Sequence, residues 1–163
     1  MGLHEPFVVP DGYRLFEGGL NGGTLRDPKV LRYWRGLAAD ETALLYGWVH
    51  KLGDDLQELH TDVPVGMIPD TSGSDVPGWM DRMCCASHPL RIDAVVKLCG
   101  AWWVIEVKVS AGYQALGQVL TYGHYAHLAS PELRKVSLGV VTDDVQECIR
   151  PVFDAFGVRV FEA

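Results

Sequence analysis

The chain has no CxxC pair, no apolar run approaching the length of a membrane span, and no overall excess of positive charge. Its four cysteines, Cys84, Cys85, Cys99 and Cys148, include an adjacent pair that is poorly placed to ligate one zinc ion, so reduced structural thiols are expected. The opening "MGLHEPFVVPDG" lacks a basic stretch followed by an apolar core, which leaves a cytoplasmic or virion-associated protein with no membrane partner as the expectation. The glycine cluster "EGGLNGGT" is followed by no Gly-Lys-Ser/Thr and contains no GxGxxG spacing; it reads as a turn rather than a phosphate cradle. Internal repeats and low-complexity tracts are also missing.

What is present is the composition of an ordinary globular protein, with 48% hydrophobic and 21% charged residues in 163. That length buries a core without disulfides or structural metal and suggests one domain over 1–163. Within it, 1–39 reads as an N-terminal arm, 40–142 as the core and 143–163 as a C-terminal helix-strand extension. A net charge of −7 argues at first sight against a nucleic-acid partner. The distribution differs from the total. Residues 82–135 hold six Lys and Arg against three acids, a net +3, so the rest of the chain carries −10.

The pattern of elements predicts a mixed α/β fold. "DETALLYGWVHKL" reads as a helix capped by Asp40, with Leu45, Trp48, Val49 and Leu52 as its apolar stripe. "LQELHTDVPVGMI" reads as a strand in which Pro64 favours an edge or a bulge. The segment 69–83 reads as a long loop of the kind that often serves as a lid. "PLRIDAVVKLCGAWWVIEVKV" is expected to form two strands joined by a Cys-Gly-Ala turn, and "GYQALGQVLTYGHYAHL" a helix. "KVSLGVVTD" follows as a strand, "DVQECIRPVFDAFG" as a helix ending at Gly157, and "VRVFEA" as a closing strand.

Two of these strands carry charge where apolar residues would otherwise run. Side chains alternate along a strand, so Glu106 and Lys108 share a face with Trp102 and Val104, opposite Trp103, Ile105 and Val107. A hairpin across Gly100 brings Asp93 level with them. Charges on a strand covered on both faces cost free energy unless paired or bound to a cation. Two converging carboxylates beside a lysine form an oxygen-rich site for Mg²⁺ or Mn²⁺, a set suited to phosphodiester hydrolysis. In that setting Lys108 orients or deprotonates the attacking water, or stabilises the transition state. The alternative is a structural salt bridge between Glu106 and Lys108. Gln114, Gln118 and Tyr122 follow at i, i+4 and i+8, one polar stripe within reach of a phosphate or a flanking nucleotide. Gly117 and Gly123 in the same helix suggest close packing or ligand approach.

"RIDAVV", thirteen residues from Asp93 to Glu106, then "IEVK" and "ALGQVLTY" resemble the PD-(D/E)xK nuclease superfamily, in the branch with a QxxxY element. The resemblance spans 40–142, with its specific motifs between 91 and 122. It implies a restriction-endonuclease-like core ordered α-β-β-β-α-β. Asp93, Glu106 and Val107 would hold the metal, Lys108 would assist catalysis, and Gln118 and Tyr122 would support the site and hold DNA. It also implies in-line attack of water on phosphorus, leaving a 5′-phosphate and a 3′-hydroxyl. Ile92 stands where the family has its naming proline. Some relatives carry a further acidic ligand on the first core helix, for which Glu41 is the candidate against a role beside the helix dipole. His60 and His88 are weaker candidates for the site. An iron-sulfur cluster is not expected, because Cys84, Cys85 and Cys99 precede Glu106 and only Cys148 follows it. The expected function is a divalent-metal-dependent deoxyribonuclease of repair, recombination, restriction or phage DNA processing. The alternatives are a nuclease-like fold that binds nucleic acid or assembles with a protein partner without catalysis, and a Holliday-junction resolvase acting as a homodimer.

Overall fold

The structure is a computed structural model that describes residues 7–29, 34, 36–73, 75–87 and 89–163. In chain order it contains β1 (Tyr13–Leu15), β2 (Thr24–Leu25), α1 (Ala39–Leu52), β3 (Leu56–Val65), β4 (Met67–Pro69), α2 (Gly78–Ser87), β5 (Leu90–Leu98) and β6 (Ala101–Val107). Then follow β7 (Ser110–Ala111), α3 (Tyr113–Ala129), β8 (Ser137–Thr142), β9 (Asp144–Val145), α4 (Arg150–Ala155) and β10 (Val158–Glu162). Six strands form one mixed sheet in the order β10-β8-β6-β5-β3-β2. β6, β8 and β10 run parallel, whereas β5 is antiparallel to both β6 and β3. The architecture is mixed α/β.

Both faces of the sheet are covered, and the alternation along each strand decides which residue meets which helix. Val95, Val104 and Val140 pack with Ala115, Val119 and Tyr122 of α3. Their neighbours Ala94, Val96, Ile105, Val107 and Val141 pack with Leu45, Trp48 and Val49 of α1. Each fully buried aliphatic side chain of this kind contributes about 1.5–3 kcal/mol relative to exposure. The β5–β6 hairpin closes on Cys99 and Gly100, at φ +46° and +81°, a left-handed pair matched to the twist of the strands it joins. On α3, a Cβ at Gly123 would come within 2.5 Å of Leu138, so the missing side chain lets the helix lie close on β8. Gly117 is different. A Cβ there would meet nothing, and close approach does not account for it.

Several expectations need correction. Ala38, not Asp40, precedes the first turn of α1; Asp40 lies inside the helix, and it is the Glu41 carboxylate that receives the Ala38 N–H, at 3.0 Å. Pro64, by contrast, is at an edge as expected: it pairs with Arg91 of β5 on one side and lies past the two residues that β2 covers on the other. Within the expected 69–83 loop, α2 begins at Gly78. The helix expected from Asp144 starts only at Arg150, because Asp144 and Val145 pair with Ser110 and Ala111. The four cysteines are free as expected, but none is buried: Cys84 and Cys85 are half-buried, and Cys99 and Cys148 are exposed. Among the described residues no helix is long and apolar enough to cross a membrane.

Candidate active site

The site begins where two strands part. Paired residues of β5 and β6 run from the turn only as far as Ala94 opposite Ile105. One step further lie Asp93 and Glu106, on the α3 side by alternation, and there the main chains separate. Asp93 Oδ2 accepts the Val107 N–H at 2.8 Å in place of a strand partner. Because N–H and C=O of one strand residue point the same way, the Val107 carbonyl faces the same opening.

Glu106 is fully buried, and neither of its carboxyl oxygens has a hydrogen bond of good geometry. Its nearest cation is Lys108, whose Nζ stands 3.4 Å from Oε1. Burial, then the neighbouring Asp93 charge, pushes the Glu106 carboxyl up to about 8. Burial also raises Asp93, to about 6, against the lowering effects of the Val107 N–H and Lys108. Glu106 is therefore the carboxyl that keeps its proton to higher pH, beside an Asp93 that ionises first. For Lys108 burial opposes the charge, yet the hydrogen bond to Glu41 and the negative charges of Glu106 and Asp93 outweigh it, and the ammonium is held more firmly than usual.

Glu41 enters this cluster from the opposite layer. One carboxyl oxygen caps α1 and the other sits 2.9 Å from Lys108 Nζ. Of the two roles weighed for Glu41, the one at the helix terminus is seen; its other oxygen pairs with Lys108. On the α3 side, Gln118 and Tyr122 line the same cleft, and Gln118 Nε2 donates to the Tyr122 hydroxyl at 3.4 Å. Burial and the Glu106 charge raise the Tyr122 phenol to about 12, so it keeps its proton as a donor. Gln118 Oε1 is buried without a partner.

The cleft has a volume of about 340 Å³ and is also lined by Asp62 and Arg91, neither of which was singled out in the sequence. Asp62 lies between the paired residues Thr61 and Val63, at φ +56°, a conformation Asp tolerates better than most residues. Its carboxylate meets Arg91 Nη1 at 3.3 Å, and Arg91 Nη2 donates to the Ala86 carbonyl at the end of α2, at 3.1 Å. Asp62 falls on the polar phase of the alternation in "LHTDVPV", beside His60, so strand periodicity offers no signal for it. Gln114 is exposed one turn earlier on α3 and is not part of the cleft lining. His60 lines a separate cavity with Glu58, Lys97 and Trp102. His88 lies outside the described residues.

Among the described residues no group of three or more His, Cys, Asp or Glu side chains is arranged to hold a metal ion. The donors at hand are the Asp93 and Glu106 carboxyls and the Val107 carbonyl, with Lys108 and Glu41 forming the next layer. A buried carboxyl whose oxygens lack hydrogen bonds and meet only the 3.4 Å approach of Lys108 fits an oxygen-seeking cation, which would replace the missing hydrogen bonds. Comparison with protein-family models, with curated proteins and with solved structures finds no match for this chain.

Proposed function

We propose that the chain is a divalent-metal-dependent nuclease of the PD-(D/E)xK type, with a restriction-endonuclease-like core, that hydrolyses phosphodiester bonds in DNA. The observation that carries this reading is Glu106: a fully buried carboxyl without hydrogen bonds, beside Asp93 and facing Lys108. A protein that used these residues only for packing would gain by replacing Glu106 with an apolar side chain. Asp93, Glu106 and the Val107 carbonyl would hold Mg²⁺ or Mn²⁺. When bound, the cation supplies Lewis acidity toward a phosphate oxygen and toward the attacking water.

The chain's own groups have distinct tasks. Asp93 is oriented by the Val107 N–H, which leaves its other oxygen for the ion. Lys108 faces Glu41 and Glu106 and so keeps its proton; its task is to meet the negative charge that grows on the phosphate, not to take a proton from water. Tyr122 donates its O–H into the cleft, held by Gln118. Arg91, on the cleft wall, supports the substrate side.

Incubation of purified protein with closed circular and end-labelled linear DNA, in Mg²⁺ or Mn²⁺, tests the reading. Cleavage of either substrate is expected, and cleavage of the circle defines an endonuclease. Intact DNA under every combination overturns the assignment. It would favour a second reading supported by the short Lys108–Glu41 contact, in which the cluster is an ion pair joining α1 to β6 within a non-catalytic nucleic-acid-binding or assembly module.

A further inference from the structure

Helix α2 is amphipathic in the reverse of the usual sense. Its half-buried side consists of Asp81, Cys84 and Cys85, and polar contacts tie it to the body: Asp81 receives Arg14 at 3.5 Å and the Thr71 hydroxyl, and Ala86 receives Arg91. None of its residues is buried. Its large apolar side chains point away from the protein, with Trp79 53%, Met80 39% and Met83 59% exposed. Trp79, Arg82 and Met83 stand at i, i+3 and i+4 and so form one face. Arg82 has no hydrogen bond or ion pair among the described residues, unlike Arg14 and Arg91, which are both engaged by carboxylates. The chain leaves α2 through Pro89 and Leu90, which line the cleft, and Leu90 is itself exposed.

We propose that this outward face of α2 is a docking strip for a single nucleic-acid strand, with bases on Trp79 and Met83 and a phosphate on Arg82, leading the strand into the cleft beside Asp93. The choice of occupant rests on the nuclease reading above. The face itself narrows that choice. An aromatic ring with flexible apolar neighbours accepts an unstacked base of any sequence, and one unengaged arginine complements a phosphate. A duplex would ask for a row of free cations along the face, and this face of α2 offers one, Arg82.

The test uses full-length Glu106→Gln protein, to separate binding from cleavage, and fluorescence anisotropy with a labelled oligothymidine strand and a blunt duplex of equal length. Trp79→Ala combined with Met83→Ser weakens single-strand binding about tenfold or more and leaves duplex binding unchanged. Trp79→Phe retains most of the affinity, and Arg82→Ala lowers the salt dependence by about one ion. Because α2 is held through Asp81, the variants keep the parental melting temperature and circular dichroism. Equal single-strand affinity in parent and double variant overturns the strip. So does a parent that sediments as a dimer and becomes monomeric in the double variant, which assigns the face to a second copy. If the α2 contrast appears but wild-type protein cleaves nothing, the nuclease reading falls and the strip stands; cleavage without the contrast gives the reverse.

Discussion

At one end of β5 and β6, Asp93 and Glu106 face Lys108; at the other end of the same sheet face, Lys97 and Trp102 stand beside Glu58 and His60 of β3. The residue types are almost the same, but the surroundings are not. Glu58 is 40% exposed, is paired with Lys97 at 3.4 Å and His60 at 3.3 Å, and Lys97 rests over the Trp102 ring. Glu106 is wholly buried, and no hydrogen bond compensates its oxygens. The charges of the far cluster are thus mutually paired and partly exposed, with only His60 Nδ1 left buried without a hydrogen bond. The near cluster is buried and incompletely hydrogen-bonded, and it is on this difference that the proposed metal site rests.

The contrast predicts its largest effect in cleavage. Asp93→Asn or Glu106→Gln lowers the rate of metal-dependent DNA hydrolysis at least about a hundredfold, and Lys108→Ala does the same. Glu58→Gln and Lys97→Met cleave like wild type in the same end-labelled assay. Comparable losses at both ends would erase the distinction.

Next comes the pH dependence of stability without divalent ions. The folded protein holds the Glu106 proton up to about 8, against an ordinary value of 4.5, so between these limits the folded state binds more protons than the unfolded chain. Stability is then fullest below the lower value and falls as pH rises through the window, by an amount on the order of a few kcal/mol. Denaturant titrations at pH 5 and pH 8 measure this. Glu106→Gln removes the part of the slope above about pH 6, where Asp93 no longer contributes, and leaves the protein more stable than wild type at pH 8, whereas Glu58→Gln keeps the slope. A flat profile in wild type would show that Glu106 is better solvated than the structure indicates.

A smaller effect concerns the ion itself. Saturating Mn²⁺ raises the melting temperature of wild type and of Glu58→Gln by roughly 5 °C and leaves that of Glu106→Gln unchanged. An equal rise in all three proteins would move the ion elsewhere. Smallest of all, Lys97→Met or Glu58→Gln changes stability by less than about 1 kcal/mol, since both partners are partly exposed. A larger loss would mean that the far cluster bears on the fold after all.

The parts of this site that follow strand alternation were readable from the residues. The period of two placed Asp93, Glu106 and Lys108 on one side, and the Cys99–Gly100 turn set the register that brings them level. The helix-terminus role of Glu41 was readable from its place in the first turn of α1, whereas its pairing with Lys108 joins residues far apart in the chain and leaves no mark in local spacing. Asp62 was hidden for a different reason: its left-handed backbone angle interrupts β3, and strand periodicity carries no information about such a break. Helix α2 escaped notice because its inward side is polar, so no apolar stripe announced it. The expected helix from Asp144 was cut short by pairing with β7, a tertiary contact that local propensity does not contain.

The bond from the Val107 amide to Asp93 has a consequence for observation. A main-chain N–H that answers to a side chain instead of a neighbouring strand experiences every change in that side chain's charge. Its nitrogen and proton resonances are therefore a built-in gauge: titration, ion loading and substrate arrival each shift one assignable peak, and occupancy can be followed in solution with no label added to the protein.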